Sequence, residues 1–429
     1  MKPTAFVNAR LLDPATGLDA PGGTLLVVDG MISAVGKDVR PAKGTDVIDC
    51  EGHCLAPGLV DMRAFLGEPG FEEKETLATA GLAAAAGGVT TVAGQPQTDP
   101  VVDEPALVGF IARRALDTCV VNVVSMAAIT KGLRGEEMTE MGLLAEAGVV
   151  AFTDGWQPVA NAQVMRRAMA YATTWDLLIV HHAEEPALAR GGHMNSGEVA
   201  SRLGLKGIPP AAEVIMVERD LRLAEMTGAR YHAACVSTAE ALDAMRRGKQ
   251  RGLRVTCGVA AHHFALNENE VGEYRTFAKV TPPLRSEDDR AAVVAGLADG
   301  TIDVIVSDHS PQDQESKRLP FPMAEFGIAG LQTLLPLSLE LVHGGHLPLL
   351  ELLAKLTINP ARLLKLPCGT LARGAPADLV LFDLDVPWRI DENALKSKSK
   401  NTPFEGRPVQ GRVLRTVVAG ETVFAMEPA

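Results

Sequence analysis

Four residues with metal-binding or acid–base side chains each follow a short apolar run in the middle of the chain. They are Asp154, His182, Cys235 and Asp308. Neutral imidazole, thiolate and carboxylate groups are the usual ligands of zinc, and a carboxylate can also act as a general base. If the runs are neighbouring strands, their ends bring these side chains together. The pattern therefore favours a site derived from a divalent-metal centre.

Each of the four residues also has a purely structural interpretation. His182 could be a hydrogen-bonded histidine of the core, and Cys235 could be a small side chain packed in the hydrophobic core. Asp154 and Asp308 could cap the helices that follow them. Only their joint position, at the ends of the fourth, fifth, sixth and eighth apolar runs, favours the metal interpretation over these alternatives.

The apolar runs alternate with amphipathic segments that have the period of a helix. Eight runs of strand length lie between residues 54 and 310, and helical segments such as 161–175 and 211–228 separate most of them. Continuous apolar strands that alternate with helices predict a parallel sheet. Eight such units predict an α/β fold, a (β/α)8 TIM barrel over residues 56–366, with its chemistry at the carboxyl ends of the strands.

The two ends of the chain differ from this middle part. Residues 1–55 and 367–429 contain short strand-like runs separated by turn signals such as Asp29-Gly30 and Gly420-Glu421. Two β-rich ends around a different middle predict one small β-sandwich domain to which both ends contribute.

Composition excludes several classes of protein. The 429 residues are 47% hydrophobic and carry a formal net charge of -12, which excludes nucleic-acid and anionic-membrane partners. The amino-terminal sequence lacks the apolar segment of a secretory signal, and no run reaches the ~18 apolar residues of a membrane span. The six cysteines are scattered and predict no disulfide framework. We therefore expect a cytoplasmic protein with reduced thiols.

The first apolar run of the middle part ends in residues that are not obvious catalysts. Its last residues include Arg63 and Phe65. Gly67 and Pro69 end the strand pattern, and a helix is expected from about Phe71. In a barrel of this kind the end of the first strand is a place where chemistry is expected. The role of this stretch becomes clear only from a family resemblance.

The ordered motifs of the chain resemble the amidohydrolase superfamily, and more closely the dihydroorotases of the long bacterial type. The resemblance extends over nearly the whole chain and includes the segments APGLVDM, GEPGFEEKETLATAGLAAAAGGVTTV, VTCGVAAHHFAL, KVTPPLR, DVIVSDHSP and LTINPARLL. It implies reversible hydrolysis of the cyclic amide of dihydroorotate in pyrimidine biosynthesis, with zinc as cofactor. By resemblance, Asp308 is the proton shuttle, Asp154 the bridging metal ligand and His182 a further ligand.

At the metal positions the chain departs from the family pattern. The family has His-x-His at the end of strand one and an arginine two residues later, where this sequence has Arg63, Phe65 and Gly67. The histidine ligand of strand six corresponds to Cys235. Phe65 cannot bind zinc, and Arg63 carries a fixed positive charge. We therefore expect none or one zinc per chain, held if present by Asp154, His182 and Cys235.

The family's substrate contacts are replaced as well. Gln97 and Thr281 stand where the family has asparagines, Gln312 where it has a histidine, and Gly67 where it has the arginine. Groups that hold a substrate must be placed within a fraction of an ångström for efficient catalysis. The joint replacement predicts that dihydroorotate is not bound in the family's way.

Two main functional hypotheses follow from the resemblance. In the first, the chain is a catalytically defective dihydroorotase homologue kept as a structural, assembly partner of aspartate transcarbamoylase. In the second, it is an active zinc-dependent cyclic amidohydrolase with an altered mononuclear site and Asp308 as base. A metal-free small-molecule sensor is a third hypothesis. The sequence leaves open the bound metal, the partner surface and whether the chain forms a homo-oligomer.

Overall fold

Both ends of the chain form one sheet and the middle forms a barrel. The structure is a computed structural model that describes residues 2–427. Its strands, in chain order, are β1 (Thr4–Asp13), β2 (Leu18–Val28), β3 (Met31–Gly36), β4 (Asp46–Asp49), β5 (Cys54–Pro57), β6 (Leu59–Ala64), β7 (Val89–Gly94), β8 (Asn122–Ala127), β9 (Ala151–Phe152), β10 (Leu178–His181), β11 (Met194–Asn195), β12 (Gly207–Ile208), β13 (Arg230–Ala233), β14 (Val255–Ala260), β15 (Val304–Val306), β16 (Leu379–Arg389), β17 (Pro408–Val418) and β18 (Glu421–Ala425).

Helices follow most of the barrel strands. The α-helices of the described residues are α1 (Leu77–Ala86), α2 (Pro105–Thr118), α3 (Met141–Glu146), α4 (Ala162–Thr174), α5 (Pro186–Ala189), α6 (Glu198–Leu203), α7 (Ala211–Thr227), α8 (Ala239–Gln250), α9 (Ala261–Ala265), α10 (Glu287–Ala298), α11 (Gln314–Lys317), α12 (Leu334–His343), α13 (Leu349–Leu356) and α14 (Ile358–Leu363). Short 3-10 helices lie at Lys131–Leu133, Glu268–Val271, Thr276–Ala278, Leu331–Thr333 and Glu392–Ala394. No helix of residues 2–427 is long and apolar enough to cross a membrane.

The terminal domain is a sheet built from both ends of the chain. Its strand order is β18-β17-β16-β5-β1-β2-β3, with β4 paired to β1. Strand β5 links the two ends, because it pairs with β1 in parallel and with β16 in antiparallel orientation. Side chains from both ends share one core, among them Phe6, Leu25, Leu55, Leu379 and Val417. The β-sandwich domain predicted from both termini is thus confirmed as a sheet-rich domain, in which the eight strands belong to one hydrogen-bonded sheet.

The middle of the chain forms the predicted parallel barrel. Its strand order is β15-β14-β13-β10-β9-β8-β7-β6, which follows the chain strand by strand. A bridge between Ala64 and His309 brings the last strand back to the first, and the Phe65 amide donates to the His309 carbonyl at 2.8 Å. We call this junction of β15 with β6 the closing seam. The (β/α)8 prediction is confirmed.

The apolar run at residues 54–64, interpreted from sequence as a single barrel strand, is two strands. Cys54–Pro57 belongs to the terminal sheet and Leu59–Ala64 to the barrel. Gly58 separates them, and a β-carbon there would lie 2.1 Å from Thr90 Oγ1. The chain therefore passes from one domain to the other across one residue, and only glycine leaves room for β7 beside it.

Helix ends follow the capping rules. In α4 the Asn161 side chain accepts from the Gln163 amide at 2.9 Å, and α7 ends at Gly228, which has a left-handed φ of 70°. These two helices confirm the amphipathic segments predicted at 161–175 and 211–228. The helix expected from about Phe71 begins instead at Leu77, because Thr76 caps it by accepting from the Thr79 amide.

Close packing at the domain junction makes a testable prediction about Gly58. We expect Gly58→Ala to lower the free energy of unfolding by about 1–3 kcal/mol, because the added methyl group overpacks against Thr90. Gly109→Ala in α2 is the matched control, since its nearest contact is 3.5 Å away. The control should be neutral or stabilising by up to about 1 kcal/mol, because glycine is unfavourable inside a helix. Urea unfolding measures both, and equal stability of Gly58→Ala and the parent would contradict the packing argument.

Candidate ligand site at the barrel mouth

The carboxyl ends of the barrel strands surround a cavity of about 430 Å³. Several residues that the sequence singled out lie on its wall, namely Asp308, Thr281 and Gln312. The wall also includes Glu184 and His262. A cavity at this end of the barrel is where the fold places ligand sites.

A buried ion pair stands at the end of the first barrel strand. Arg63 Nε lies 2.7 Å from Asp308 Oδ1, and both side chains are almost fully buried. Burial raises the pKa of Asp308, and the charge and hydrogen bond of Arg63 oppose that rise only in part. The other two guanidinium nitrogens, Nη1 and Nη2, have no acceptor in residues 2–427. The residue predicted to be the proton shuttle is thus the partner of a permanent cation.

Asp61 holds the backbone on both sides of this ion pair through hydrogen bonds. Its Oδ1 accepts from the backbone amides of Arg63 and Ser307, each at 3.2 Å, and its Oδ2 accepts from the Ser307 hydroxyl. Asp61 is fully buried, and this burial raises its pKa to about 6. The sequence analysis did not single out Asp61, although a carboxylate inside an apolar strand is an unusual feature.

Asp154 is used to hold the loop after β8. Its Oδ1 accepts from the Ile129 amide at 2.8 Å and the Thr130 amide at 2.9 Å, and its Oδ2 accepts from the Thr130 hydroxyl. Burial raises the pKa of Asp154, although these hydrogen bonds lower it. The carboxylate does not cap the following helix, as the structural interpretation supposed, but ties down the preceding loop.

The two other predicted metal ligands have different surroundings. His182 Nε2 lies 3.4 Å from Thr281 Oγ1 and 3.9 Å from Glu184 Oε1, and its Nδ1 has no partner in the described residues. Cys235 packs inside the barrel with apolar neighbours such as Met62. Burial raises the pKa of its thiol strongly, so the group is protonated at neutral pH.

The side chains present do not fit the family's binuclear metal centre. No group of three or more histidine, cysteine, aspartate or glutamate side chains in residues 2–427 is placed to hold a metal ion. Asp154, His182 and Cys235 are therefore not assembled into a ligand set. A guanidinium at Arg63 adds a positive charge where the family has a ligand, and positive charges repel a metal ion. The zinc content of the protein stays a prediction.

Aromatic side chains fill the space around the strand-one end. The Phe65 ring lies 5.7 Å from the rings of Phe71 and Trp156, measured between centroids. Gly67 has a φ of 76°, and a β-carbon there would lie 2.0 Å from the Glu75 carbonyl oxygen. The backbone around Gly67 therefore has no room for the arginine that the family carries at this position.

The three other replaced substrate positions are partly used for internal contacts. Gln312 donates through Nε2 to the Phe326 carbonyl at 2.9 Å, and its amide donates to Asn401 Oδ1 at 3.0 Å. Gln97 is packed against Gly155, where a β-carbon would lie 1.8 Å from Gln97 Cδ. Thr281 and Gln312 line the cavity, whereas Gln97 is not part of its wall.

Two further histidines of the mouth, His262 and His263, are neutral. Burial lowers the pKa of His262 far below its ordinary value and that of His263 to about 4, and the positive charge of Arg63 contributes to both. His263 Nε2 donates to the Pro282 carbonyl at 2.9 Å, but neither ring nitrogen of His262 has a partner in the described chain. Both histidines lie in the segment VTCGVAAHHFAL that carries the family resemblance, but the sequence analysis did not choose His262 as a site residue.

Two buried lysines hold the part of the wall that follows β15. Lys279 Nζ donates to the carbonyls of Phe321 at 2.9 Å and Ala324 at 2.6 Å, and Lys317 Nζ donates to the Glu325 carbonyl at 2.6 Å. Burial lowers their pKa values to about 8 and about 7 respectively. The loop that carries Gln312 and Phe326 is therefore a fixed wall of the cavity.

The architecture and the position of the cavity define an amidohydrolase-type barrel. The structure superposes on L-hydantoinase from Arthrobacter aurescens with a TM-score of 0.89 at 24% identity, over 100% of this chain and 98% of that one. Dihydropyrimidinase from Brevibacillus agri gives a TM-score of 0.85 at 21% identity, over 99% and 95%. At these identities the likeness establishes the fold.

Sequence relatives identify the family more closely. Residues 52–241 match the family described as Dihydro-orotase-like, and residues 341–424 match the Amidohydrolase family. The chain is 48% identical over 429 residues to a dihydroorotase from Anaplasma phagocytophilum, covering 99% of this chain and 95% of the relative. It is 44% identical over 417 residues to a dihydroorotase from Pelobacter propionicus, covering 97% and 98%. This chain belongs to the dihydroorotase family of the amidohydrolase superfamily.

The raised pKa of Asp61 predicts how stability depends on pH. The pKa is 3.8 for an ordinary aspartate and about 6 in the folded protein. Between these values the folded protein binds a proton that the unfolded chain releases, so the contribution of Asp61 to stability falls as the pH rises from about 4 to about 6. Relative to Asp61→Asn, which cannot titrate, the parent should lose up to about 3 kcal/mol over this range. Urea unfolding at several pH values measures the difference, and parallel profiles would contradict it.

Proposed function

We propose that this chain is a catalytically defective dihydroorotase homologue that serves as a structural partner of aspartate transcarbamoylase. The observation that carries the first part is the 2.7 Å ion pair between Arg63 and Asp308. It engages the predicted proton shuttle and puts a fixed positive charge at the end of strand one. If Asp308 accepted a proton, the buried guanidinium of Arg63 would lose its counterion, which is strongly unfavourable.

The metal positions support the same conclusion. Zinc supplies hydroxide and polarises the carbonyl in enzymes of this class. Here the carboxylate of Asp154 already accepts three hydrogen bonds from residues 129 and 130, and the thiol of Cys235 is protonated. Arg63 and Phe65 replace the two histidines of strand one. Binding a metal would require that these groups be released from their present partners.

The assembly role is supported by what the chain retains. A sequence whose local patterns and tertiary fold agree still specifies one structure, although its catalytic groups are replaced. Exposed apolar side chains lie on successive helices of the barrel exterior, with Leu116 at 86% and Phe110 at 42% exposure on α2, Leu143 at 55% on α3 and Trp175 at 48% after α4. Such side chains are suited to a protein interface. Within the family, aspartate transcarbamoylase is the partner that we expect.

One set of observations favours the second hypothesis, an active cyclic amidohydrolase with a mononuclear zinc. His182 Nδ1 lacks a partner in the described residues, and Asp308 lines a cavity large enough for a small cyclic amide. In that case a metal would be expected to change the surroundings of Asp154 and Cys235 on binding. Turnover distinguishes the two hypotheses, because one bound zinc is compatible with both.

The first prediction of this proposal concerns metal and turnover. The purified protein should contain zero or one zinc per chain by elemental analysis. It should neither hydrolyse dihydroorotate nor form it from carbamoyl aspartate above background. The double change Arg63→His with Phe65→His should recover little activity, because Gly67, Gln97 and Thr281 remain replaced. A metal-dependent rate within a few tenfold of ordinary enzymes, about 1–1000 per second, would overturn the proposal.

The second prediction concerns assembly. Co-expression with the aspartate transcarbamoylase of the same organism should give a stable complex in size-exclusion chromatography, with at least ~1,000 Å² buried per contact. The complex should also form with His182→Ala and with Asp308→Ala, provided that circular dichroism shows a folded barrel, because assembly needs no chemistry at the mouth. Separate elution at micromolar concentration, with transcarbamoylase activity indifferent to this chain, would remove the assembly role.

A further inference from the structure

A second cavity lies where α2 meets the terminal domain, and it shares no wall residue with the cavity at the barrel mouth. Its volume is about 560 Å³, and the first residues of β8 form part of its wall. Most of the wall is apolar and includes Ala112, Ala115 and Leu116 of α2, Leu366 after α14 and Val418 of β17. We call this cavity the α2 groove. An apolar groove that the chain leaves open is typical of an interaction site.

Leu116 protrudes at the rim of the α2 groove. It is 86% exposed, more than any other large hydrophobic side chain in residues 2–427. Gly109 and Ala112 precede it on the same face of the helix, and a β-carbon at Gly109 would meet only Arg113 Nη1, at 3.5 Å, outside the helix backbone. A protruding side chain beside a groove can fill the same groove of a second copy when a two-fold axis relates the copies. The α2 face is thus self-complementary in shape.

Two charged side chains flank Leu116 and are also complementary to a second copy. Arg113 and Asp117 are exposed and lie one turn apart on α2. Neither forms an ion pair or a side-chain hydrogen bond within residues 2–427. When two copies of α2 pack antiparallel about an axis near residue 115, Arg113 of each copy faces Asp117 of the other. These charges favour a second copy over a wholly apolar occupant, which would cover both charges without pairing them.

We propose that the α2 face is a two-fold contact between two copies of this chain, with Leu116 of each copy in the α2 groove of the other. Helix α2 has 14 residues and is about 21 Å long. A standard interface buries about 800 Å² on each partner, which is more than one helix face provides. The terminal-domain side of the groove, at Val418 and Ala419, therefore also takes part. This contact goes beyond the proposed function and does not depend on it.

The first test measures the mass of the purified full chain. Sedimentation velocity should show a reversible change from the 45.3 kDa monomer to a dimer as the protein concentration rises through the micromolar range. Leu116→Asp should raise the dissociation constant at least tenfold, because a charge would enter the apolar groove. Met226→Asp is the matched control, since Met226 is 69% exposed on α7 and does not line the groove. The control should change the dissociation constant less than twofold.

The second test reverses the two charges. Arg113→Asp or Asp117→Arg alone places like charges opposite each other, and the two-fold axis repeats this repulsion at a second place. Each single variant should raise the dissociation constant at least fivefold. The double variant restores both pairs and should return to within about twofold of the parent. Both side chains are exposed, so these variants keep the test valid if circular dichroism shows that Leu116→Asp fails to fold.

The third test uses the cysteines of the parent chain. Cys119 and Cys368 line the α2 groove and are half-buried, whereas the other four cysteines are buried. Because the dimer covers the groove, the pseudo-first-order rate at which an excess of DTNB modifies these two thiols should fall at least fivefold between dilute and concentrated protein. Leu116→Asp should remove this dependence on concentration, because it keeps the chain monomeric.

Several results would overturn the inference. One is a parent chain that stays monomeric up to about 100 µM, a weak affinity for a built interface. Others are equal weakening by Leu116→Asp and Met226→Asp, a double charge variant as weak as the single ones, or thiol rates that do not depend on protein concentration. A monomeric parent whose transcarbamoylase complex is lost in Leu116→Asp would assign the α2 face to that enzyme instead. Absence of the transcarbamoylase complex alone would leave the dimer unchanged, so the two proposals fail separately.

Discussion

The ion pair between Arg63 and Asp308 is the interaction on which the barrel mouth depends. Either charge alone in this interior would be strongly unfavourable, so each requires the other. The two residues come from the first and last strands of the barrel, at the closing seam. Asp61 accepts from the amides of both Arg63 and Ser307 and so bridges the same two strands. The ion pair and the hydrogen bonds of Asp61 therefore join the first and last strands of the barrel, and they also place the charges at its mouth.

A permanent cation organises the charge states around it. Together with burial, the positive charge of Arg63 disfavours the protonated forms of His262 and His263, which leaves neutral imidazoles at the mouth. A metal ion at this place would also be a cation, but its ligands would have to lose their protons and leave their present hydrogen-bond partners in order to bind it. Arg63 needs only one carboxylate. The mouth of this chain thus has a buried positive centre beside a cavity, with Arg63 and Phe65 at the end of the first barrel strand.

The terminal domain contributes to the mouth through residues 395–404, which precede β17. The Ser397 hydroxyl donates to Glu75 in the loop after β6. Asn401 accepts from the Gln312 amide at 3.0 Å and donates to the Gly327 carbonyl at 2.9 Å. The loops that follow the first and last strands are held by one segment from near the end of the chain. This arrangement fixes the cavity wall and makes the small domain part of the site.

Much of the architecture could be predicted from local patterns in the sequence. The alternation of apolar runs with helical segments determined the eight-stranded barrel, and helices α4 and α7 were predicted nearly to their ends. The short strand-like runs and turn signals at both termini indicated a shared β-domain. Through the family resemblance, the identities of Arg63 and Phe65 indicated that the two strand-one histidines of the family pattern are replaced. These properties depend on residue type and on spacing along the chain, which the sequence displays directly.

Other features were decided only by the tertiary structure. The partner of Arg63 is 245 residues away, and Asp154 bonds to a loop that sequence reasoning had not connected with it. Gly58 splits one apolar run between two domains because Thr90 of another strand leaves no space for a side chain. Glu184 and His262 become cavity residues only when the strand ends converge. The sequence by itself determined which elements form, because periodicity is local, and its resemblance to the family indicated which ligand positions carry other residue types. Partners, charge states and unpaired atoms depend on side chains that only folding brings within a few ångströms.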